Sequence, residues 1–465
     1  MKIFLKILVI IEVFTLQCLS SYGQTISIQK TPQGLAQIRW QSVPQASHYR
    51  VEYRDKLSGD VWKAVPLQDR WVIGGTSFVD VFSMTNQARF YRLVAITATR
   101  GVLSYSTMLQ QLTKAQLTAL FVSNGIPVSP QYDVKVYRIY YDTVAPDGLP
   151  IKASGAVVIP VASGKSFPLL SYQHGTEFLT NNVASQGGGE FVAGLALASL
   201  GYAVSMPDYL GMGLAVGMLH PFVHARSEAT ACIDALRAVR VLCSQTGVSL
   251  NGQLFLIGYS QGGHATMALH REIEFYHTNE FVVTASAPMA GPYDMSGTMA
   301  NLMLSDAAYD TPAYLPYTLF SYNNVYKIYD SSSNFLNAPY ASTLPPLFDG
   351  RHSASQINSA MPSIPSRILK QEFLNQFKST PNHPFRIALQ ANDLYNWKPI
   401  ALMQMYHCAS DVTVPFSNSE VALARFHALG ATHVELVDPN PWGNHGTGAI
   451  SCFYAAYQWF ETLKQ

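Results

Sequence analysis

Hydrophobic positions change their period along this chain. Between residues 25 and 97 they alternate over short runs such as Ala36-Gln37-Ile38-Arg39-Trp40, Tyr49-Arg50-Val51-Glu52-Tyr53 and Phe90-Tyr91-Arg92-Leu93-Val94, with polar or Pro/Gly turns between them. Alternation puts every second side chain on one face, so this region predicts a half-buried antiparallel β module. After residue 133 short apolar runs alternate with longer helical stretches, which predicts a largely parallel sheet. A hairpin is expected at Val134 to Tyr141 and Ile151 to Pro160, turning near Asp147-Gly148. Strands follow at Pro168 to Tyr172, Tyr202 to Met206, Leu254 to Gly258, Val282 to Ala287, Ile400 to Tyr406 and His433 to Val437. Helices are expected near Phe191 to Leu200, Ser227 to Gln245, Gln261 to His277, Ser419 to Leu429 and Ile450 to Leu463. In the second of these, Cys232, Leu236, Val239 and Cys243 recur at three- and four-residue steps, the stripe of a helix lying on a sheet. Residues 98–133 read as a linker with a helix around Lys114 to Phe121. The interval 296–398, rich in Tyr, Pro, Asn and Ser, breaks the alternation and reads as an insertion over the active site.

The predicted class is therefore α/β: a mostly parallel sheet with helices on both faces over residues 134–465, carrying a lid or cap insertion and preceded by a small all-β sandwich. With 48% hydrophobic and 13% charged residues, the chain has enough apolar surface for an ordered core. A net charge of +1 without a Lys/Arg run excludes an electrostatic track for nucleic acid. Lys2 and Lys6 precede the apolar run Ile7 to Phe14, broken only by Glu12, and Ser21-Tyr22-Gly23 offers a cleavage site. Residues 1–23 therefore predict a signal peptide and a secreted or periplasmic protein. The apolar run falls short of the ~20 residues that span a bilayer, so no stable membrane insertion is expected. Gln17 before Cys18 is too bulky for a lipobox, which argues against lipidation.

An oxidising compartment permits bridges among Cys232, Cys243, Cys408 and Cys452. Cys232 and Cys243 share one predicted helix about 16 Å apart, beyond disulfide reach. For Cys408 and Cys452 two readings stand, a bridge or two buried thiols.

Candidate chemistry centres on Leu254-Phe255-Leu256-Ile257 followed by Gly258-Tyr259-Ser260-Gln261-Gly262-Gly263 and a helical stretch. A strand that turns sharply into a helix at Gly-x-Ser-x-Gly is a nucleophile elbow, whose glycines clear the crowded approach and whose serine stands above the sheet. The reading makes Ser260 the nucleophile and the backbone N–H of Gln261 an oxyanion donor. The alternative is a serine that caps the helix, which leaves the flanking glycines unexplained.

Taken with His174-Gly175-Thr176 and Pro207-Asp208-Tyr209-Leu210-Gly211-Met212-Gly213, the elbow makes residues from about 130 to 463 resemble the α/β-hydrolase fold, and within it secreted bacterial and fungal lipases. The resemblance implies a second oxyanion donor after the strand ending at Tyr172, supplied by the N–H of Gly175 or Thr176. His174 and Asp208 are expected to order loops. Trp40, Tyr49 to Tyr53, Trp62 and Phe90-Tyr91-Arg92-Leu93 resemble a fibronectin type III module over residues 25–97, a spacer or docking domain without catalytic residues.

A serine needs an imidazole to take its proton and a carboxylate to fix that imidazole, in the chain order Ser, Asp/Glu, His for this fold. Asp411, in the loop after the strand ending at Tyr406 and followed by Val412 and later Pro415, is the predicted acid, with Asp294 as the alternative. His445, in the turn-rich Asn440 to Gly448 segment that opens the last helix, is the predicted base. His407 and His433 read as packed histidines at strand ends. His220 and His224 lack a third ligand at convincing spacing, so no metal and no cofactor are expected. Tyr314, Leu315, Tyr317, Leu319, Phe320, Tyr322 and Tyr326 give the insertion an apolar cover suited to acyl or aryl groups. The function predicted is a lipase or carboxylesterase acting on a small-molecule or lipid ester. The competing enzyme class is a serine peptidase of the prolyl oligopeptidase kind, and the competing non-enzyme class is a binding protein on the same scaffold. Oligomeric state is not legible.

Overall fold

A computed structural model describes residues 13–15, 26–32, 34–43, 46, 48–56, 61–65, 77–80, 89–96 and 99–465. Of the expected signal peptide only Val13–Thr15 falls within these residues; the rest lies outside them. The N-terminal strands are β1 (Val13–Thr15), β2 (Ile26–Lys30), β3 (Ala36–Trp40), β4 (His48–Arg54), β5 (Lys63–Ala64), β6 (Ser77–Asp80) and β7 (Phe90–Ile96). They form two small sheets, ordered β1-β7-β4-β5 and β2-β3-β6. All pairings are antiparallel except that of β1 with β7. Every second residue of β3 is buried, as alternation requires, and Ile38, Trp40, Val51 and Leu93 share one core.

The second region is built on one nine-stranded sheet, ordered β16-β15-β14-β13-β11-β12-β10-β9-β8. Its members are β8 (Leu103–Leu112), β9 (Asp133–Val144), β10 (Pro150–Val161), β11 (Ser166–Gln173), β12 (Ala203–Pro207), β13 (Ser249–Tyr259), β14 (Ala285–Met289), β15 (Leu402–Tyr406) and β16 (Glu435–Val437). β12, β11, β13, β14, β15 and β16 run parallel, while β8, β9 and β10 form an antiparallel edge. The stretch 98–133, expected as a linker with a helix, holds, besides that helix, an edge strand of this sheet. It supplies the edge strand β8 and the helix α1 (Lys114–Ser123), whose Thr113–Gln116 capping box closes its first turn. An edge strand is solvated along much of its length, and Tyr105 and Met108 are about half exposed, so β8 lacks the apolar alternation that marks a strand in sequence.

Helices cover both faces. One face packs under α1, α2 (Phe191–Ser199) and α12 (His445–Leu463), with Val136, Leu170, Leu195, Phe255 and Phe460 in its core. The other packs under α3 (Ala225–Gln245) and α4 (Gln261–Tyr276), and here Cys232, Leu236, Val239 and Cys243 form the buried stripe expected of α3. α11 (Ser417–Ala428) packs beside β15 and β16 through Phe426 and Ala422. β14 starts three residues later than the expected strand, Val282 to Ala287. Phe281 is buried under the Arg240 guanidinium, whose carbon lies 3.8 Å from the ring centre, whereas Val282 faces solvent ahead of the strand.

Residues 295–390 form a cap with its own apolar core. It begins with a π-helical turn, Met295–Met299, and continues through α5 (Ala300–Met303), α6 (Tyr314–Tyr326), α7 (Tyr340–Thr343), α8 (Ala354–Ser359), α9 (Gln371–Ser379) and α10 (Pro384–Gln390). Tyr317, Tyr322, Phe335, Phe373 and Phe385 are buried together in it. Phe222 of the sheet region stacks on Tyr317 at 4.4 Å, so the cap is seated on the sheet's carboxyl edge by aromatic contact.

Candidate active site

β13 passes into α4 through one residue, Ser260, at φ 61° and ψ −123°. A side-chain-bearing residue in this region costs ~1–3 kcal/mol, and neighbouring contacts must enforce it. Here the Ser260 amide donates to the Met289 carbonyl at 2.9 Å. The flanking glycines are steric necessities. A Cβ on Gly258 would overlap the Gly262 carbonyl oxygen, and one on Gly262 would overlap the Gln173 carbonyl oxygen.

His445 is the first residue of α12 rather than a loop residue. Asn444 caps that helix, its Oδ1 accepting from the Gly446 and Thr447 amides at 3.1 and 2.9 Å. The His445 carbonyl accepts from the Tyr259 hydroxyl at 2.6 Å, which ties the helix start to the residue before Ser260. The imidazole is thereby placed with Nε2 2.8 Å from Ser260 Oγ and Nδ1 2.6 Å from Asp411 Oδ2. Asp411 is fully enclosed. Its Oδ1 accepts from the Thr413 and Val414 amides, each at 3.0 Å, and its Oδ2 also lies 3.2 Å from His407 Nε2. Burial works against the Asp411 carboxylate, but the hydrogen bonds from His407 and His445 outweigh it and hold its pKa down at about 2. The structure therefore brings Ser260, His445 and Asp411 into one hydrogen-bonded chain. His407, read from sequence as a packing residue, is a partner of the acid.

Of the expected oxyanion groups, the Gln261 N–H lies in the first turn of α4, where a helix offers no acceptor. Thr176 and Gln261 line the same slot as Ser260. Gly175 departs from expectation. Its N–H donates to Glu190 Oε1 at 3.1 Å, so it is spent holding the loop. Glu190 Oε2 in turn accepts from the Tyr172 hydroxyl at 2.5 Å, and burial raises the Glu190 pKa. No motif marks Glu190 in the sequence.

Behind the elbow the Gln261 side chain is locked. Its Nε2 donates to Glu228 Oε1 at 2.9 Å and lies 2.7 Å from His220 Nε2. His220 Nδ1 faces the Leu210 carbonyl at 2.6 Å, so its proton sits on Nδ1, leaving Nε2 free to accept from Gln261. Burial pushes the His220 pKa down to about 4, in keeping with this neutral form. Glu228 Oε2 meets His264 Nδ1 at 2.6 Å, completing a buried network around the helix start.

In front of Ser260 lies an apolar slot, narrow in its interior at about 50 Å³ and about 590 Å³ with the space opening to solvent. Met295, Met299, Met303, Leu315, Leu389 and Val414 line it. Tyr314 from α6 lines the slot together with Thr176, so the cap and the loop after β11 share this space.

The remaining candidates take structural places. Asp294 caps the π-helical turn, its carboxylate accepting from the Gly297 and Thr298 amides at 3.1 and 2.7 Å. Asp208 is buried and accepts from Ser154 Oγ at 2.6 Å and the Ser185 amide at 3.0 Å. His174 lies against the Gly175 and Asp208 carbonyls. His224 caps α3, and His433 faces the Ala401 carbonyl.

This strand order, with a serine elbow after β13, a carboxylate after β15 and a histidine after β16, defines an α/β-hydrolase. A family model of secretory lipases matches residues 173–275. LipA, a rice cell wall degrading esterase from Xanthomonas oryzae, is 33% identical, with 78% of this chain and 96% of that chain covered and a TM-score of 0.68. A Legionella pneumophila protein is 27% identical over 78% of this chain and 98% of that one, with a TM-score of 0.73. Candida antarctica lipase A in its closed state, 17% identical over 79% of this chain and 83% of that one at a TM-score of 0.60, shares the fold. No curated protein sequence matches the chain. The chain belongs to the secretory lipase family of α/β-hydrolases and is an ester hydrolase.

Proposed function

We propose that the protein is an exported serine carboxylesterase or lipase that works through an acyl-enzyme on Ser260. The observation that carries this reading is the unbroken Asp411–His445–Ser260 chain, at 2.6 and 2.8 Å, opening onto an apolar slot. Asp411 holds the His445 proton on Nδ1, so Nε2 is the free base that takes the proton from Ser260 Oγ. Oγ then bonds to the ester carbonyl carbon, and the oxyanion is received by the N–H groups of Gln261 and Thr176. As the intermediate collapses, the C–O bond to the alcohol breaks and His445 Nε2 gives the alcohol its proton. Water, deprotonated by the same nitrogen, attacks the acyl-serine and releases the carboxylic acid and free Ser260.

The apolar slot takes the acyl chain. Its three methionines are flexible and polarisable, so they adapt to chains the narrow interior does not hold at rest. Residues 1–23 act as the export signal, and residues 25–97 form a fibronectin type III-like spacer. The test is hydrolysis of p-nitrophenyl esters from acetate to palmitate by wild type and Ser260→Ala. Turnover on short- and medium-chain esters that falls roughly a million-fold in the variant is expected. Wild type inert across the panel, or a variant that retains turnover, refutes the proposal.

A further inference from the structure

Two thiols lie between the segments that carry Asp411 and His445. Cys408 follows β15, and its carbonyl accepts from the Asp411 amide at 3.0 Å, so its backbone belongs to the turn that presents the carboxylate. Cys452 sits in α12, about two turns beyond His445. Both side chains are fully buried, and their sulfurs are 4.0 Å apart. Bonded sulfurs lie at about 2.05 Å, so about 2 Å remains to close. Cys232 and Cys243 offer no competing partners to each other, since they lie on one face of α3 eleven positions apart.

The packing is arranged around the Cys408 sulfur. Gly448, in the first turn of α12, stands against it; a Cβ there would come within 2.7 Å of Cys408 Sγ. Gly443, in the turn before His445, does the same at 3.1 Å. Glycine weakens a helix, and the room it gives the sulfur explains its presence at 448. The region thus brings Cys408 against both the base-carrying turn and the helix that holds Cys452.

We infer that Cys408 and Cys452 are joined by a disulfide in the exported protein, fastening the acid turn to the base helix. The inference rests on the proposed export, which places the chain where a disulfide donor acts. One cysteine thiolate attacks the donor disulfide to give a mixed disulfide. The second thiolate then displaces the donor as its reduced dithiol, so the two cysteines lose two electrons and two protons and the donor is reduced. Because both thiols are buried once the chain has folded, the exchange takes place while the fold is still open. After closure the bond is shielded from reductants, and it limits the separation of Asp411 from His445.

The test uses the chain with its own N-terminus, exported by a Gram-negative host and denatured in N-ethylmaleimide with or without prior reduction. Trypsin then yields peptides 387–425 and 426–464, each with one of the two cysteines. The expected result is a linked pair of these peptides that vanishes on reduction. Alkylation of both cysteines without reduction, in protein whose intact mass shows the leader removed, overturns the inference. Should the leader be retained, the export reading fails by itself, and refolding in a glutathione redox buffer decides the pairing by the same digest. The Cys408→Ala/Cys452→Ala variant should melt lower by on the order of 5 °C. An unchanged melting temperature refutes the fastening even where the bond forms.

Discussion

Replacing Glu190 by alanine should slow catalysis without weakening substrate binding, because Glu190 braces the loop proposed to present the second oxyanion donor and does not line the slot in front of Ser260. Its Oε1 takes the Gly175 amide at 3.1 Å and its Oε2 the Tyr172 hydroxyl at 2.5 Å. A hydrogen bond of this kind to a buried carboxyl is worth about 1.5–3 kcal/mol. Losing it frees the peptide next to Thr176, whose N–H, as the proposed second oxyanion donor, must sit within ~0.2 Å of its place to serve the transition state. If the full energy is lost there, kcat falls about 10- to 150-fold; the ceiling is the ~100- to 1000-fold cost of deleting a donor outright. KM should stay within about twofold, since the acyl slot is untouched. Glu190→Gln, whose carbonyl oxygen can still accept from Gly175, should recover all but a few-fold of the loss. Steady-state kinetics on one soluble ester, with melting curves to confirm that each variant is folded, decides the matter. An unchanged kcat in the alanine variant, or a glutamine variant as slow as alanine, would refute the reasoning.

Three further outcomes follow from the same geometry. Asp411→Asn should cost about 10,000-fold in kcat, because an amide cannot hold the Nδ1 tautomer of His445; a loss under 100-fold would contradict that role. Acid should destabilise the fold well before Asp411 titrates. Burial lowers His220 to about 4 and His224 to about 3, below their unfolded value of about 6.5, so the unfolded chain binds their protons first. Stability is therefore full above pH 6.5 and falls as pH drops, by on the order of 3 kcal/mol for each histidine by pH 4, and a melting temperature flat from pH 7 to 4.5 would exclude this. Met299→Trp should fill the slot, reducing kcat/KM for decanoate at least tenfold while leaving butyrate within about threefold; equal losses on both esters would move the acyl site elsewhere.

How much of this was legible in the sequence follows from the range of the forces involved. The elbow could be read because strand, turn and helix are contiguous, with Gly258 and Gly262 flanking the serine in the motif itself, although the clash that demands Gly262 is with Gln173 of β11. The six parallel strands were legible from their apolar runs, though β14 starts later than expected because Val282 faces solvent ahead of the strand. β8 was missed because an edge strand with solvated faces has no alternation to show. His407 looked like packing because its link to Asp411 depends on how the turn after β15 folds back. Glu190 and the engaged N–H of Gly175 were missed for a related reason, since Glu190 lies at the start of α2, remote from every motif, and reaches Gly175 only through the tertiary fold. The cap was legible as an insertion, but its seating through Phe222 on Tyr317 was not.

Exposure to a fluorophosphonate, followed by peptide mapping, tests the central claim most directly. The account predicts one phosphonyl adduct per chain, on Ser260, formed rapidly in wild type and slowed by orders of magnitude in His445→Ala. An adduct on another residue, or an equal labelling rate once the imidazole is gone, would contradict it.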